Sequence, residues 1–332
     1  MKIEKIRVSI GSASVLGLKE VKFDVAPTTC YIMTYREGHC TANCGFCPQA
    51  RDANSSAEKL SRITWPIFNF KDFLTKLKYA TALKRFERIC VQTLNYPKFY
   101  EDLIQIVSAI KKISNIPIST AITPISKKHL SELKIAGVER VAIALDGVTQ
   151  EIFDRIKGKD VKGPYQWELH FQSIKNALEV FSEGYVSTHL IIGLGETHRE
   201  VLKLIEKFHH KQVLPALFSF MPIKGTELQD LSQPDLIDYR LIQLSRYLII
   251  YDNKTLNDFT FNSKGQIIKI KMTRAKLQEI INYRTPFLTS GCPGCNRPYY
   301  TSKPSGPIYN FPRELNKEEK TEISNLLIKY VN

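Results

Sequence analysis

Cys40, Cys44 and Cys47 stand in the spacing Cys-x3-Cys-x2-Cys within the run Gly38-His39-Cys40-Thr41-Ala42-Asn43-Cys44-Gly45-Phe46-Cys47-Pro48-Gln49, directly after an apolar stretch that reads as a strand. Three thiolates on one short loop hold three corners of a four-iron, four-sulfur cube. The fourth iron is then open to a small molecule and to one-electron chemistry. Zinc is the competing occupant, because thiolates also bind it tetrahedrally and His39 offers a fourth ligand. Structural zinc usually takes two short knuckles at a fixed separation, so three cysteines crowded on one loop favour iron and sulfide. Far down the chain a second pair, Cys292 and Cys295, lies in Cys292-Pro293-Gly294-Cys295-Asn296-Arg297-Pro298-Tyr299-Tyr300. Taken alone, that pair fits a redox dithiol or half a zinc knuckle as well as cluster ligands.

Repeated βα units are the elements that would position these residues. Strands are predicted near Thr28 to Tyr35, Arg88 to Gln92, Ile116 to Ala121, Val141 to Leu145, Val186 to Ile192, Leu217 to Met221, Phe259 to Phe261 and Phe287 to Ser290. Amphipathic helical runs alternate with them, near Phe70 to Phe86, Tyr100 to Ile113, Lys127 to Ala136, Gln166 to Ser182, Arg199 to His209, Pro234 to Ile250 and Thr273 to Tyr283. This alternation predicts an α/β fold, a (β/α) barrel of eight strands. Three regions follow: an amino-terminal extension (1–27), the barrel (28–295), and a carboxyl-terminal cap with a closing helix (296–332). Working residues of such barrels gather at the carboxyl ends of the strands. The Cys40 loop, Cys90, Asp146, the Gly193-Leu194-Gly195-Glu196 turn and the Cys292–Cys295 segment are all expected on that rim.

The chain has 332 residues and a formal net charge of +14, from 47 Lys and Arg against 33 Asp and Glu. This balance favours acidic partners without singling out nucleic acid, and the lysines of Lys71 to Arg88 fall opposite an apolar stripe, as on a solvated helix face. Seven cysteines, an odd number, do not read as a secreted disulfide framework, which predicts a reducing, cytoplasmic setting. Lys2, Glu4, Lys5 and Arg7 interrupt the first ten residues, and no apolar run is long enough to span a bilayer. A soluble protein with no membrane and no nucleic acid among its partners is expected.

The first cysteine motif, with an aromatic residue before its last cysteine, resembles the signature of the radical S-adenosylmethionine (radical SAM) superfamily. The resemblance implies a [4Fe-4S] cluster on Cys40, Cys44 and Cys47 that binds S-adenosylmethionine (SAM) and cleaves it to methionine and a deoxyadenosyl radical. By position it places Phe46 beside the adenine, Gln92 at the methionyl amine, Asp146 at the ribose hydroxyls, and Gly193, Gly195 and Glu196 along the nucleoside. Read without it, the glycine turn before Thr197 is an ordinary strand-to-helix turn with a cap.

Further motifs, Ala136-Gly137, Leu145-Asp146, Ile192-Gly193-Leu194-Gly195-Glu196-Thr197 and Lys224-Gly225-Thr226, look like the biotin synthase and lipoyl synthase branch, whose members draw sulfur from a second, auxiliary cluster. Biotin synthases hold that cluster with cysteines on strands two, three and five plus an arginine. Here only Cys90 is in place, and Ser119 and Ser187 stand at the other two positions. Common lipoyl synthases carry an amino-terminal three-cysteine motif, but Cys30 is the one cysteine upstream of Cys40. Cys90, Cys292 and Cys295 remain for a second [4Fe-4S] cluster, with Ser302, Ser305 or an open site at the fourth iron. This pattern is similar to the archaeal-type, two-component lipoyl synthase. The similarity implies an octanoylated lipoyl-carrier protein as substrate, a second related radical SAM subunit, an electron donor such as ferredoxin, and Arg297 and Tyr299 as substrate contacts. Another radical SAM reaction, biotin formation included, is the nearest alternative, and a zinc-containing nucleic-acid-binding protein is the alternative of another class.

Overall fold

The computed structural model describes residues 3–332. Along the chain lie β1 (Lys5–Val8), α1 (Ile10–Val15), β2 (Thr29–Met33), the short β3 (Lys59–Leu60) and β4 (Ile63–Thr64), β5 (Ile67–Asn69), α2 (Phe70–Ala82), β6 (Arg88–Gln92), α3 (Phe99–Lys111), β7 (Ile118–Ile122), α4 (Lys127–Ala136) and β8 (Val138–Ile143). They are followed by α5 (Gln150–Ile156), α6 (Trp167–Phe181), β9 (Val186–Ile192), α7 (His198–His210), β10 (Leu214–Ser219), α8 (Leu236–Tyr251), β11 (Phe259–Phe261), β12 (Ile267–Ile270), α9 (Arg274–Tyr283) and α10 (Lys317–Leu327).

Eight strands form the main sheet, in the order β10-β9-β8-β7-β6-β2-β1-β5. From β2 to β10 the neighbours pair in parallel, while β1 runs antiparallel to both β2 and β5. The parallel strands are buried on both faces, as helices outside and a filled interior require; every residue of β2 and β7 is buried. Helices α2, α3, α4, α6, α7 and α8 return the chain from one parallel strand to the next or close the last one, each burying its apolar stripe in a shared core. Local chemistry marks their ends. Asn69 accepts from Lys71 N–H to start α2, Thr197 and Glu200 form a reciprocal cap on α7, and Gly137 at φ +108 ends α4 in the left-handed conformation.

An α/β barrel-like sheet of eight strands is thus present, but two of its members differ from those predicted. Phe259–Phe261 pairs with β12 in a separate antiparallel ribbon. Phe287 to Ser290 makes a single bridge, Leu288 to Phe311. Their places in the count are taken by β1 and β5, so residues 5–8 of the predicted extension belong to the sheet. Beyond α9 runs a long strap, residues 284–316, whose Pro293–Gly294 turn meets Thr28, Thr29 and Arg88 at the amino ends of the strands and whose Thr301 carbonyl accepts from Ser219 at the end of β10, before α10 closes the chain. Buried Arg240 holds it, donating to the carbonyls of Tyr309 and Ile308 and lying over the Phe311 ring.

Candidate active site in the barrel cavity

Alternate residues of the parallel strands point inward, as the period of a strand demands. Tyr31 and Met33 of β2, Cys90 and Gln92 of β6, Ser187 and His189 of β9, and Ala216 and Phe218 of β10 line one cavity. The same cavity takes in all three cysteines of the first motif and both of the second.

At the carboxyl end of the strands, the Cys40–Cys47 loop is fixed by its backbone. Cys40 N–H donates to Gln49 O at 2.8 Å, Gly45 N–H to Ile156 O at 2.7 Å and Cys47 N–H to Cys44 O at 2.9 Å. Asn43, within the loop and buried, ties it to the chain beyond α5 by donating to Val161 O at 2.8 Å. Asn95 N–H donates to Cys40 Sγ at 3.1 Å, the kind of contact that stabilises a thiolate bound to iron. Burial pushes the Cys44 thiol up to about 12, with Lys157 opposing, and holds Cys47 well above the ordinary thiol range. Among the described residues, no three His, Cys, Asp or Glu side chains converge on a point that could hold a single metal ion. His39 does not line the cavity. Three soft donors spread around a common space match a cube of iron and sulfide in chemistry.

At the opposite end lies the second set, and here the structure corrects the expectation of one shared rim. Gly294 O accepts from the hydroxyls of Thr28 and Thr29, both at 2.7 Å, and Pro293 O accepts from Arg88 Nε at 3.1 Å. Thr29 and Arg88 are the first residues of β2 and β6, so the Cys292–Cys295 turn sits under the amino ends of the strands. Cys90, in the middle of β6, reaches it from above. Burial pushes its thiol up to about 12, and nearby Cys292 and Cys295 add to the rise. Polar groups attend each sulfur: Gln92 Nε2 donates to Cys90 Sγ at 3.1 Å, the Ser119 hydroxyl is within hydrogen-bonding reach of Cys90 and Cys292, and the Tyr31 hydroxyl is 3.3 Å from Cys295 Sγ. Cys30, by contrast, is fully buried in the apolar core outside the cavity.

Of the residues predicted at the SAM site, Phe46, Gln92 and Asp146 line the cavity. Asp146 takes a left-handed φ of +64 and is ion-paired to Lys157 Nζ at 2.7 Å, both residues being buried. Lys157 also donates to Ala144 O at 2.8 Å and stands over the Tyr165 ring. Sequence reasoning missed Lys157; its signal was faint, a lone lysine at the carboxyl-terminal cap of α5. Gly193, Gly195 and Glu196 are not on the cavity wall, where Ile191 and Phe220 stand instead. The Glu196 carboxylate turns back to accept the N–H groups of Gly193 and Leu194, at 2.6 and 3.0 Å, so its charge is used by its own turn.

Among the predicted substrate contacts, Arg297 lines the cavity with its guanidinium 3.8 Å over the Phe218 ring. Tyr299 does not; its carbonyl accepts from Arg62, and Tyr300 faces the cavity in its place. Tyr299 takes a left-handed φ of +59, and its side chain lies within hydrogen-bonding reach of Asp24. Neither proposed serine reaches the second set, since Ser302 Oγ accepts from Tyr309 N–H and Ser305 is exposed.

Comparison with known proteins agrees with this geometry. The sequence model of the radical SAM superfamily matches residues 38–208, so the chain belongs to that superfamily. It is similar to the biotin synthase of Sulfurihydrogenibium sp. (strain YO3AOP1), 25% identical over 205 residues, which cover 60% of this chain and 57% of that protein. It is also similar to the biotin synthase of Methanococcus aeolicus, 28% identical over 210 residues, 61% of this chain and 58% of that one. The alignments thus span about three fifths of the length of these curated relatives. In fold it resembles methylornithine synthase (PylB), at TM-score 0.53 and 12% identity over 74% of this chain and 68% of that one. The FeFe-hydrogenase maturase HydG from Carboxydothermus hydrogenoformans is alike at TM-score 0.53 and 15% identity, over 96% of this chain and 70% of that one. Membership implies a [4Fe-4S] cluster and SAM, and Cys40, Cys44 and Cys47 are the residues that fit them.

Proposed function

We propose that the chain is a radical SAM sulfurtransferase that inserts sulfur into an octanoyl chain carried on a lysine of a lipoyl-carrier protein, acting as one half of a two-subunit lipoyl synthase. The observation that carries the reading is the second set of thiols, Cys90, Cys292 and Cys295, at the far end of the same cavity as the first. A reaction on carbon alone needs the first set only; sulfur insertion needs a sulfur source across the substrate from the radical. The first cluster, when bound, supplies that radical from SAM, and the second supplies the sulfur.

The protein's own residues divide the remaining work. Between the two sets the wall is mostly small or apolar, with Met33, Ala121, Ala142, Ala144, Ala216 and Phe218. A saturated chain with no polar groups fits such a passage, which also excludes water from a reactive carbon. Lys157 donates to one carboxylate oxygen of Asp146 at 2.7 Å, leaving the second oxygen for hydroxyl donors of the nucleoside. Ser119 and Ser187 support a lipoyl rather than a biotin product: both line the cavity where the biotin synthase pattern has cysteines, and the strap brings its own two thiols instead. The zinc-knuckle reading gains nothing from the fold, because the Cys292–Cys295 turn packs inside, against Tyr31 and the first residues of β2 and β6. An acidic carrier, a second radical SAM subunit and a ferredoxin-type donor complete the proposal, the net charge of +14 favouring approach of the acidic ones.

The test is an anaerobic reaction of the reconstituted protein with SAM, a reductant and an octanoyl-lysine peptide, with and without a co-expressed partner subunit. Mass spectrometry is expected to find the peptide carrying added sulfur. SAM cleavage without any sulfur on the peptide, together with conversion of the sulfur-free precursor of biotin, overturns the assignment.

A further inference from the structure

Tyr31 is not used by the reaction as described above, yet it is placed with care. It sits in the middle of β2 with its side chain in the cavity, is 1% exposed, and is the cross-strand partner of Cys90. Its ring packs 5.4 Å from that of Tyr300, which in turn meets Trp65 edge-on. Two groups meet its hydroxyl: Cys295 Sγ at 3.3 Å and the backbone N–H of Arg297 at 2.9 Å. A phenol has one proton to give, and its oxygen accepts. A backbone amide only donates, so Arg297 occupies the oxygen's acceptor side and the phenolic proton is left for the sulfur.

We propose that Tyr31 is a tuning residue for the second cluster, donating an O–H···S hydrogen bond to the Cys295 ligand that draws charge from that sulfur and makes the cluster easier to reduce. This inference rests on the two-cluster reading. It separates Cys295 from its two companions, because Cys90 takes its hydrogen bond from the Gln92 amide and Cys292 lies near Ser119, whereas Cys295 alone of the three is met by a phenol that the strap itself orients through Arg297. The bond also couples ligand to scaffold: the residue that tunes Cys295 is clasped two positions further along the same turn.

A full-length chain with Cys40, Cys44 and Cys47 replaced by Ala isolates the second cluster. In it, Tyr31→Phe is expected to retain about four irons, to move the midpoint potential in an EPR-monitored titration to more negative values, and to raise the iron–thiolate stretching frequency in resonance Raman spectra. Unchanged potential and frequency overturn the proposal. Should Tyr31→Phe lose its iron, site-specific 3-fluorotyrosine at position 31, a stronger donor of nearly the same size, decides: a positive move sustains the assignment and no move overturns it. If the parent variant with Tyr31 intact holds no iron, the two-cluster reading itself falls and this inference with it, an outcome seen before Tyr31 is touched.

Discussion

Lys157 and Asp146 show how much of the site's chemistry is settled between pairs of side chains. Both are buried, and each would be costly alone; Lys157 Nζ satisfies Asp146 at 2.7 Å and the Ala144 carbonyl at 2.8 Å. Lys157→Met is therefore expected to destabilise the fold by about 3–5 kcal/mol by leaving a buried carboxylate unpaired, and the double variant with Asp146→Asn to recover much of that loss. Denaturant unfolding of the anaerobic protein measures both, and a Lys157→Met chain as stable as its parent contradicts the pairing. For the second set, Cys292→Ala with Cys295→Ala should remove about four irons while SAM cleavage continues. Loss of both properties assigns the pair to folding instead. At this scale the first motif was legible because its three ligands are local in sequence and one loop carries them all. Glu196 is governed by equally local chemistry, its carboxylate accepting from the amides of Gly193 and Leu194 in its own turn.

At the scale of elements, the helices and parallel strands were legible from periodicity, and Lys127–Ala136 appears with the predicted bounds. The edges of the sheet were not. β1 and β5 are only four and three residues long, and they become strands because tertiary pairing supplies partners that no short window contains. Phe287 to Ser290 has the apolar composition of a strand but pairs at one bridge, since the strap must turn under the barrel and is held there by Thr28, Thr29 and Arg88. That turn depends on Gly294, at φ +75, where an added Cβ would also come within 2.7 Å of a Glu87 carboxylate oxygen. Gly294→Ala is expected to cost about 1–2 kcal/mol and to lower iron occupancy of the second set while sparing the first. Equal iron in both sets after this change counts against the strap as the carrier of the second site.

For the whole molecule, burial governs both stability and reach. Three histidines are held down by burial, His170 to about 3 and His189 and His198 to about 4, against 6.5 when free. Between pH 4 and 6.5 the unfolded chain thus binds protons that the native one refuses, so stability rises with pH across that window and falls on acidification, by up to about 1.4 kcal/mol per pH unit for each group. His170→Phe should flatten this slope in a series of melting curves at different pH, and an unaltered slope contradicts the assignment. The long range of the cavity, from the Asn95 contact at Cys40 to the Gly294 turn below β2, is what sequence order could not show: motifs 250 residues apart face each other through the barrel because the strap enters from beneath. The most direct test of that two-ended arrangement is an iron and sulfide count on oxygen-free protein, for the parent chain, for a variant lacking Cys40, Cys44 and Cys47, and for one lacking Cys90, Cys292 and Cys295. Two separate clusters give about eight irons in the parent and about four in each variant, with SAM perturbing the EPR signal only where the first set remains. A parent with four irons, or a single triple substitution that empties the protein, would contradict that arrangement.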